Sequence, residues 1–219
     1  MHRRGSGRRL RTGTAAALIL AGCGVAAAAL WVVLWDPAAP PAARGRPTAL
    51  FVGDSYISST PDNFACQTAR RLGWSCVVDA IGGTGYAGAR AYPGRLADDV
   101  ARYRPDWVVV TGGRNDSQDE DAPAAADRYL TDVRDAFPDA GLVVVGPFWD
   151  DSRPPASVLR LRDQLRTTAG RLGARFVDPL EDRWITEENA GRYIGADGVH
   201  PNAAGHRYLA ERLAAALDR

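Results

Sequence analysis

The chain has 219 residues, and all 27 of its basic residues are arginine, so chemistry that runs through a lysine amine, a Schiff base or a phosphate-loop lysine, is excluded. An apolar fraction of 46% with 24% charge is that of an ordinary globular chain of one or at most two domains. The net charge of +1 conceals an asymmetry: residues 1–47 carry seven Arg against Asp36 alone, whereas 48–219 carry 20 Arg against 25 acids. An acidic body with a basic tip argues against a nucleic-acid binder.

The tip (1–11) holds Arg3, Arg4, Arg8, Arg9 and Arg11, and an uncharged run of 24 residues follows from Thr12 to Trp35. At 1.5 Å per residue such a run crosses the roughly 30 Å of a bilayer core, which predicts one transmembrane helix over 12–35. The arginines keep the N-terminal side in the cytoplasm, and Trp31 and Trp35 suit the far interface, so the body is expected outside the cytoplasmic membrane. Two alternatives are a cleaved signal peptide and a lipoprotein signal, since Leu20-Ala21-Gly22-Cys23 resembles a lipobox. The proline-rich stretch 36–47 reads as a semi-rigid spacer, and the folded domain is expected over 48–219.

Within the body, short apolar runs bounded by Gly, Pro or Asp recur at Ala49 to Val52, Cys76 to Ile81, Trp107 to Thr111, Leu142 to Gly146 and Arg175 to Val177. Nearly continuous apolar runs belong to parallel strands buried on both faces. Helical spacing fills the intervals, over Asp62 to Leu72, Ala89 to Tyr103, Pro123 to Phe137, Pro155 to Leu172 and Pro201 to Leu217, with Pro123 and Pro201 placed as first-turn prolines. Five such units predict a three-layer α/β/α sandwich with a five-stranded parallel sheet, whose ligands bind beyond the carboxyl ends of the strands. In an exported body Cys66 and Cys76, ten residues apart, are expected to oxidise to a structural disulfide.

Four short motifs converge on that rim: Gly53-Asp54-Ser55 after the first strand, Gly82-Gly83-Thr84-Gly85 after the second, Gly112 to Asp116 after the third, and Asp197-Gly198-Val199-His200 before the last helix. A serine nucleophile needs a base, and the base needs a partner that fixes its tautomer. His2 lies across the membrane and His206 falls inside the last predicted helix, on its surface, which leaves His200 as base with Asp197 three residues before it. The backbone N–H groups of Ser55 and Gly83 and the side-chain amide of Asn115 suit an oxyanion hole. Gly82 and Gly85 compete with Gly83 for that role.

With these residues the chain resembles the GDSL-type esterases of the SGNH hydrolase superfamily, the resemblance running from Gly53-Asp54-Ser55 to His200. It implies a flavodoxin-like sandwich, a Ser55 nucleophile, a His200 base with Asp197, and an oxyanion hole of Ser55, Gly83 and Asn115. Tyr56 stands where the family's motif has leucine, a position behind the nucleophile.

Other signals weigh less. Gly83 to Gly88 fits a dinucleotide fingerprint, but it follows the second strand and no acid closes the next one. Asp116, Asp119, Glu120 and Asp121 read as a solvated loop rather than a metal site, and Arg160, Arg162 and Arg166 as a solvated helix face. Phe148 and Trp149, directly after the fourth strand, are candidate walls of the acyl or alcohol pocket. The expectation is a monomeric, cofactor-free and metal-free esterase that removes short acyl groups, such as acetyl, from an envelope glycan or a small ester. A lysophospholipase, thioesterase or acyltransferase of the same family, or a silent carbohydrate-binding domain, are the alternatives.

Overall fold

The three central strands of the body are runs of mostly apolar side chains, and alternate residues of each run feed two separate cores. The computed structural model describes residues 45–88, 90–150 and 153–218. In it β1 (Thr48–Gly53), β2 (Ser75–Ala80), β3 (Trp107–Thr111), β4 (Gly141–Val145) and β5 (Arg175–Val177) form one parallel sheet in the order β2-β1-β3-β4-β5. That is the flavodoxin-like order, whose topological switch point lies between β1 and β3.

Ala49, Phe51, Val109, Val143 and Val145 face one way and pack under α2 (Phe64–Arg71) and α7 (Ala203–Leu217). Leu50, Val52, Val108, Val110, Leu142 and Val144 face the other way, under α3 (Pro93–Arg102), α4 (Ala122–Ala136) and α5 (Ala156–Arg171). The period of two along each strand thus produces a helix layer on either side of the sheet. Cys66 of α2 and Cys76 of β2 form a disulfide across one of these layers, with Cα atoms 5.3 Å apart.

Two short helices lie outside the predicted set, α1 (Ser55–Ser58) and α6 (Glu187–Tyr193). Pro201 is not a first-turn proline: it pairs with Ile194 in an antiparallel bridge, and α7 starts after Asn202, whose Oδ1 accepts from Ala204 N and Gly205 N, both at 2.9 Å. Asn is the better N-cap, and it moves the boundary by two residues. The predicted membrane span and the spacer up to residue 44 fall outside the described residues; among the described residues no helix is long and apolar enough to cross a membrane.

Candidate active site

The rim at the switch point is built from the turns that leave β1, β2 and β3. Strand β1 ends in Gly53, and Asp54 caps α1, its Oδ1 accepting the Tyr56 N–H at 2.9 Å. Ser55 is the first residue of that helix, so its N–H belongs to the first turn, where no intrahelical acceptor exists. Beneath it Tyr56 is 3% exposed and stacks on Phe148, with ring centroids 5.2 Å apart. The nucleophile candidate therefore stands half-buried on a helix start that is fixed from below.

The loop between α6 and α7 presents His200 to the same place, its ring 6.2 Å from that of Tyr56, the residue after Ser55. The loop is closed by the Ile194–Pro201 bridge and by Gly195 N donating to His200 O at 2.8 Å. Within it Asp197 Oδ1 accepts from Val199 N at 2.9 Å and from His200 N at 3.0 Å, while Oδ2 lies 2.7 Å from His200 Nδ1. The His200 hydrogen bond, with the two backbone donors behind it, holds the Asp197 carboxyl well below the usual carboxylate range. An ionised carboxylate only accepts, so Nδ1 carries the proton and Nε2 is the ring nitrogen turned away from the carboxylate.

The glycine run after β2 makes a turn in which Thr84 N donates to Ile81 O, and Gly83 holds φ +72, a value suited to glycine at the third position of a type II turn. The turn's own bond does not use the Gly83 N–H. Gly85 is glycine for another reason: a Cβ there would fall on the carboxylate of Asp116. Asp116, 4% exposed, accepts from Tyr86 N at 3.2 Å and Ala87 N at 2.9 Å, fastening the glycine loop to the segment after β3. Asn115, its neighbour, is exposed and donates Nδ2 to Thr84 O at 2.8 Å and to Asp54 Oδ2 at 3.5 Å. Burial pushes the Asp54 carboxyl up to about 6, and the nearby Asp116 adds to the rise, against the Tyr56 N–H bond that lowers it.

Several sequence expectations change. Phe148 is no pocket wall: it is 3% exposed, and its ring is enclosed by those of Tyr56, Phe64 and Trp184. Trp149 is half-buried with the Arg114 guanidinium 4.4 Å over its ring, and Arg114 pairs with Asp150 at 2.7 Å, so a charged pair flanks the indole. His206 is not on the surface but 2% exposed, bonded to Phe64 N. Arg162 and Arg166 are not a free face, since both reach Asp178. The acidic run divides, with Asp116 turned inward and Asp119 Oδ1 accepting Asp121 N at 2.9 Å. Among the described residues no His, Cys, Asp and Glu group is spaced to hold a metal ion.

The sequence reading gave Asp54 no role and put Asp116 in a solvated loop, whereas both are buried carboxylates that tie these turns together. A readable signal existed for Asp54, an Asp directly before a serine that opens a helix.

A sheet of this order with a serine at the first strand's end and a histidine–aspartate pair beside it defines an ester hydrolase of the SGNH class. The chain belongs to the GDSL-like lipase/acylhydrolase family, whose model matches residues 51–208. It is 37% identical over 194 residues to a GDSL lipase of Mycobacterium tuberculosis, covering 78% of this chain and 81% of that one. In fold it is similar to Est24, a carbohydrate acetylesterase of Sinorhizobium meliloti (16% identity, TM-score 0.62, 79% of this chain and 99% of that one). It is likewise similar to TesA (24% identity, TM-score 0.62, 78% of this chain and 97% of that one). The protein is an ester-hydrolysing hydrolase.

Proposed function

We propose that the protein is a serine esterase for short acyl esters, acetyl among them, carried by a cell-envelope glycan or a small alcohol. Ser55 Oγ attacks the ester carbonyl and passes its proton to His200 Nε2. The imidazolium gives that proton to the departing alcohol, leaving an acyl-Ser55 ester. Water then attacks the acyl carbon, again losing a proton to Nε2, and the carboxylic acid leaves as Ser55 regains its hydrogen. Asp197 holds the Nδ1 proton throughout, and the N–H groups of Ser55 and Gly83 with the Asn115 amide receive the negative oxygen of each tetrahedral intermediate.

The observation that carries this reading is the 2.7 Å contact of Asp197 Oδ2 with His200 Nδ1, which leaves Nε2 as the free nitrogen of a ring set beside the Ser55 turn. The charged Arg114–Asp150 pair against Trp149, close to the third and fourth strand ends, supports short acyl groups over long apolar chains. A series of p-nitrophenyl esters from acetate to palmitate tests this. The proposal expects kcat/KM to fall steeply beyond butyrate, and a maximum at octanoate or longer contradicts it.

The arginine-led apolar run supports an uncleaved anchor over 12–35 that places the body outside the cytoplasmic membrane. The intact mass of the membrane-extracted protein tests it. A chain beginning at Met1 is expected, and one beginning at Cys23 or near Ala38 overturns the anchor.

A further inference from the structure

Asn115 is exposed, and nothing in an asparagine side chain itself decides which end of the amide faces the substrate. An oxyanion needs the NH2 end; the carbonyl end would repel it. Two acceptors stand around that nitrogen, the Thr84 carbonyl at 2.8 Å and the Asp54 carboxylate at 3.5 Å. Thr84 is 1% exposed and its hydroxyl bonds Ile81 O at 2.7 Å, so its carbonyl is a fixed post. Asp54 is 3% exposed, and its other oxygen caps the helix that begins with Ser55.

We propose that Asp54 is a positioning residue for the oxyanion hole, one carboxylate bridging the start of the nucleophile's helix to Asn115 and holding the amide with its NH2 end toward the substrate. This rests on the esterase reading above. One Nδ2 hydrogen goes to Thr84 O. The other is oriented by Asp54 Oδ2 across a distance long for a charged acceptor, so passing it to the developing oxyanion gives up little in the ground state. The same carboxylate fixes the Tyr56 N–H next to Ser55, so the serine and amide parts of the hole move as one unit.

The variant that isolates this role is Asp54→Asn. Asn caps helices as well as Asp does, so Oδ1 keeps the Tyr56 N–H, but the other end now aims an NH2 at the NH2 of Asn115. The proposal expects kcat for p-nitrophenyl acetate to fall about 10-fold or more, with KM within about twofold. In an Asn115→Ala background the same change is expected to cost less than about twofold, because the group it positions is gone. Asp54→Ser keeps a cap without the second oxygen and is expected to repeat the loss, which covers the case in which Asp54→Asn folds poorly. A kcat within twofold of wild type in either variant, or losses that multiply in the double variant, overturns the proposal. Failure of the esterase reading is distinguishable, because Ser55→Ala would then remain active whatever Asp54 does.

Discussion

His206 Nδ1 accepts the backbone N–H of Phe64 at 3.2 Å, and the two rings stack with centroids 6.3 Å apart, joining α7 to the start of α2. The histidine is thus a packing residue. His206→Ala is expected to lower stability by about 1–3 kcal/mol through the orphaned Phe64 N–H, and by more through the cavity, while the folded enzyme keeps its kcat. Urea unfolding and a p-nitrophenyl acetate assay on the same sample check both halves.

The same burial lowers the pKa of His206. A base whose folded pKa is depressed stabilises the fold above its unfolded value, and that stability is lost as pH falls through the folded one. Wild type is expected to weaken between neutral pH and pH 5 more than His206→Gln, a change that unfolding midpoints at pH 7.5 and 5 measure.

Asp54 has the opposite sign. Its carboxyl is raised to about 6, first by burial, so its contribution to stability is full below the unfolded carboxylate range and is lost as pH rises through 6. Asp116 and His200 are the charged neighbours that move it. Asp54→Asn is therefore expected to gain about 2 kcal/mol on wild type between pH 4 and 7 while losing activity, the mark of a carboxylate kept for function against stability. Denaturant titrations of both proteins across that range test it; parallel curves would contradict it.

Two glycines of one loop should respond differently. Gly85→Ala puts a methyl into the Asp116 carboxylate, so the loop must shift, and kcat is expected to drop about 10-fold or more as Gly83 leaves its place. Gly83→Ala meets no atom within 4 Å but must hold φ +72, so the expected cost is about 1 kcal/mol of stability with a smaller loss of kcat. Thermal melts beside kcat for each variant separate a clash from conformational strain.

The central strands were readable because a buried parallel strand is an unbroken apolar run, and Trp107–Thr111 matches to the residue, as does the shorter edge strand Arg175–Val177. Helix α1 was not, since four residues leave no period to detect. His206 carried a usable signal: with Leu209, Ala210, Leu213 and Ala214 it falls on one stripe of α7, and that stripe is the buried one. Phe148 misled because a strand-end address says which rim a residue is near, not whether a neighbouring helix covers it. The candidate-site residues Ser55, Gly83, Asn115, Asp197 and His200 stood out in the sequence as short motifs at strand and loop ends, and those ends lie where they were expected. The cap formed by Asp54 was legible beside Ser55, but its contact with Asn115 and that of Asp116 with Tyr86 join residues 61 and 30 apart in sequence, which no local pattern records.

Covalent labelling tests the central claim, a serine nucleophile at position 55 activated by His200, most directly. Wild-type protein treated with a fluorophosphonate at pH 7.5 is expected to carry a single adduct, mapped by peptide mass to Ser55, with matching loss of esterase activity. His200→Ala should label far more slowly, and Ser55→Ala should neither label nor hydrolyse ester. An adduct on another serine, or esterase activity surviving in Ser55→Ala, would contradict the account.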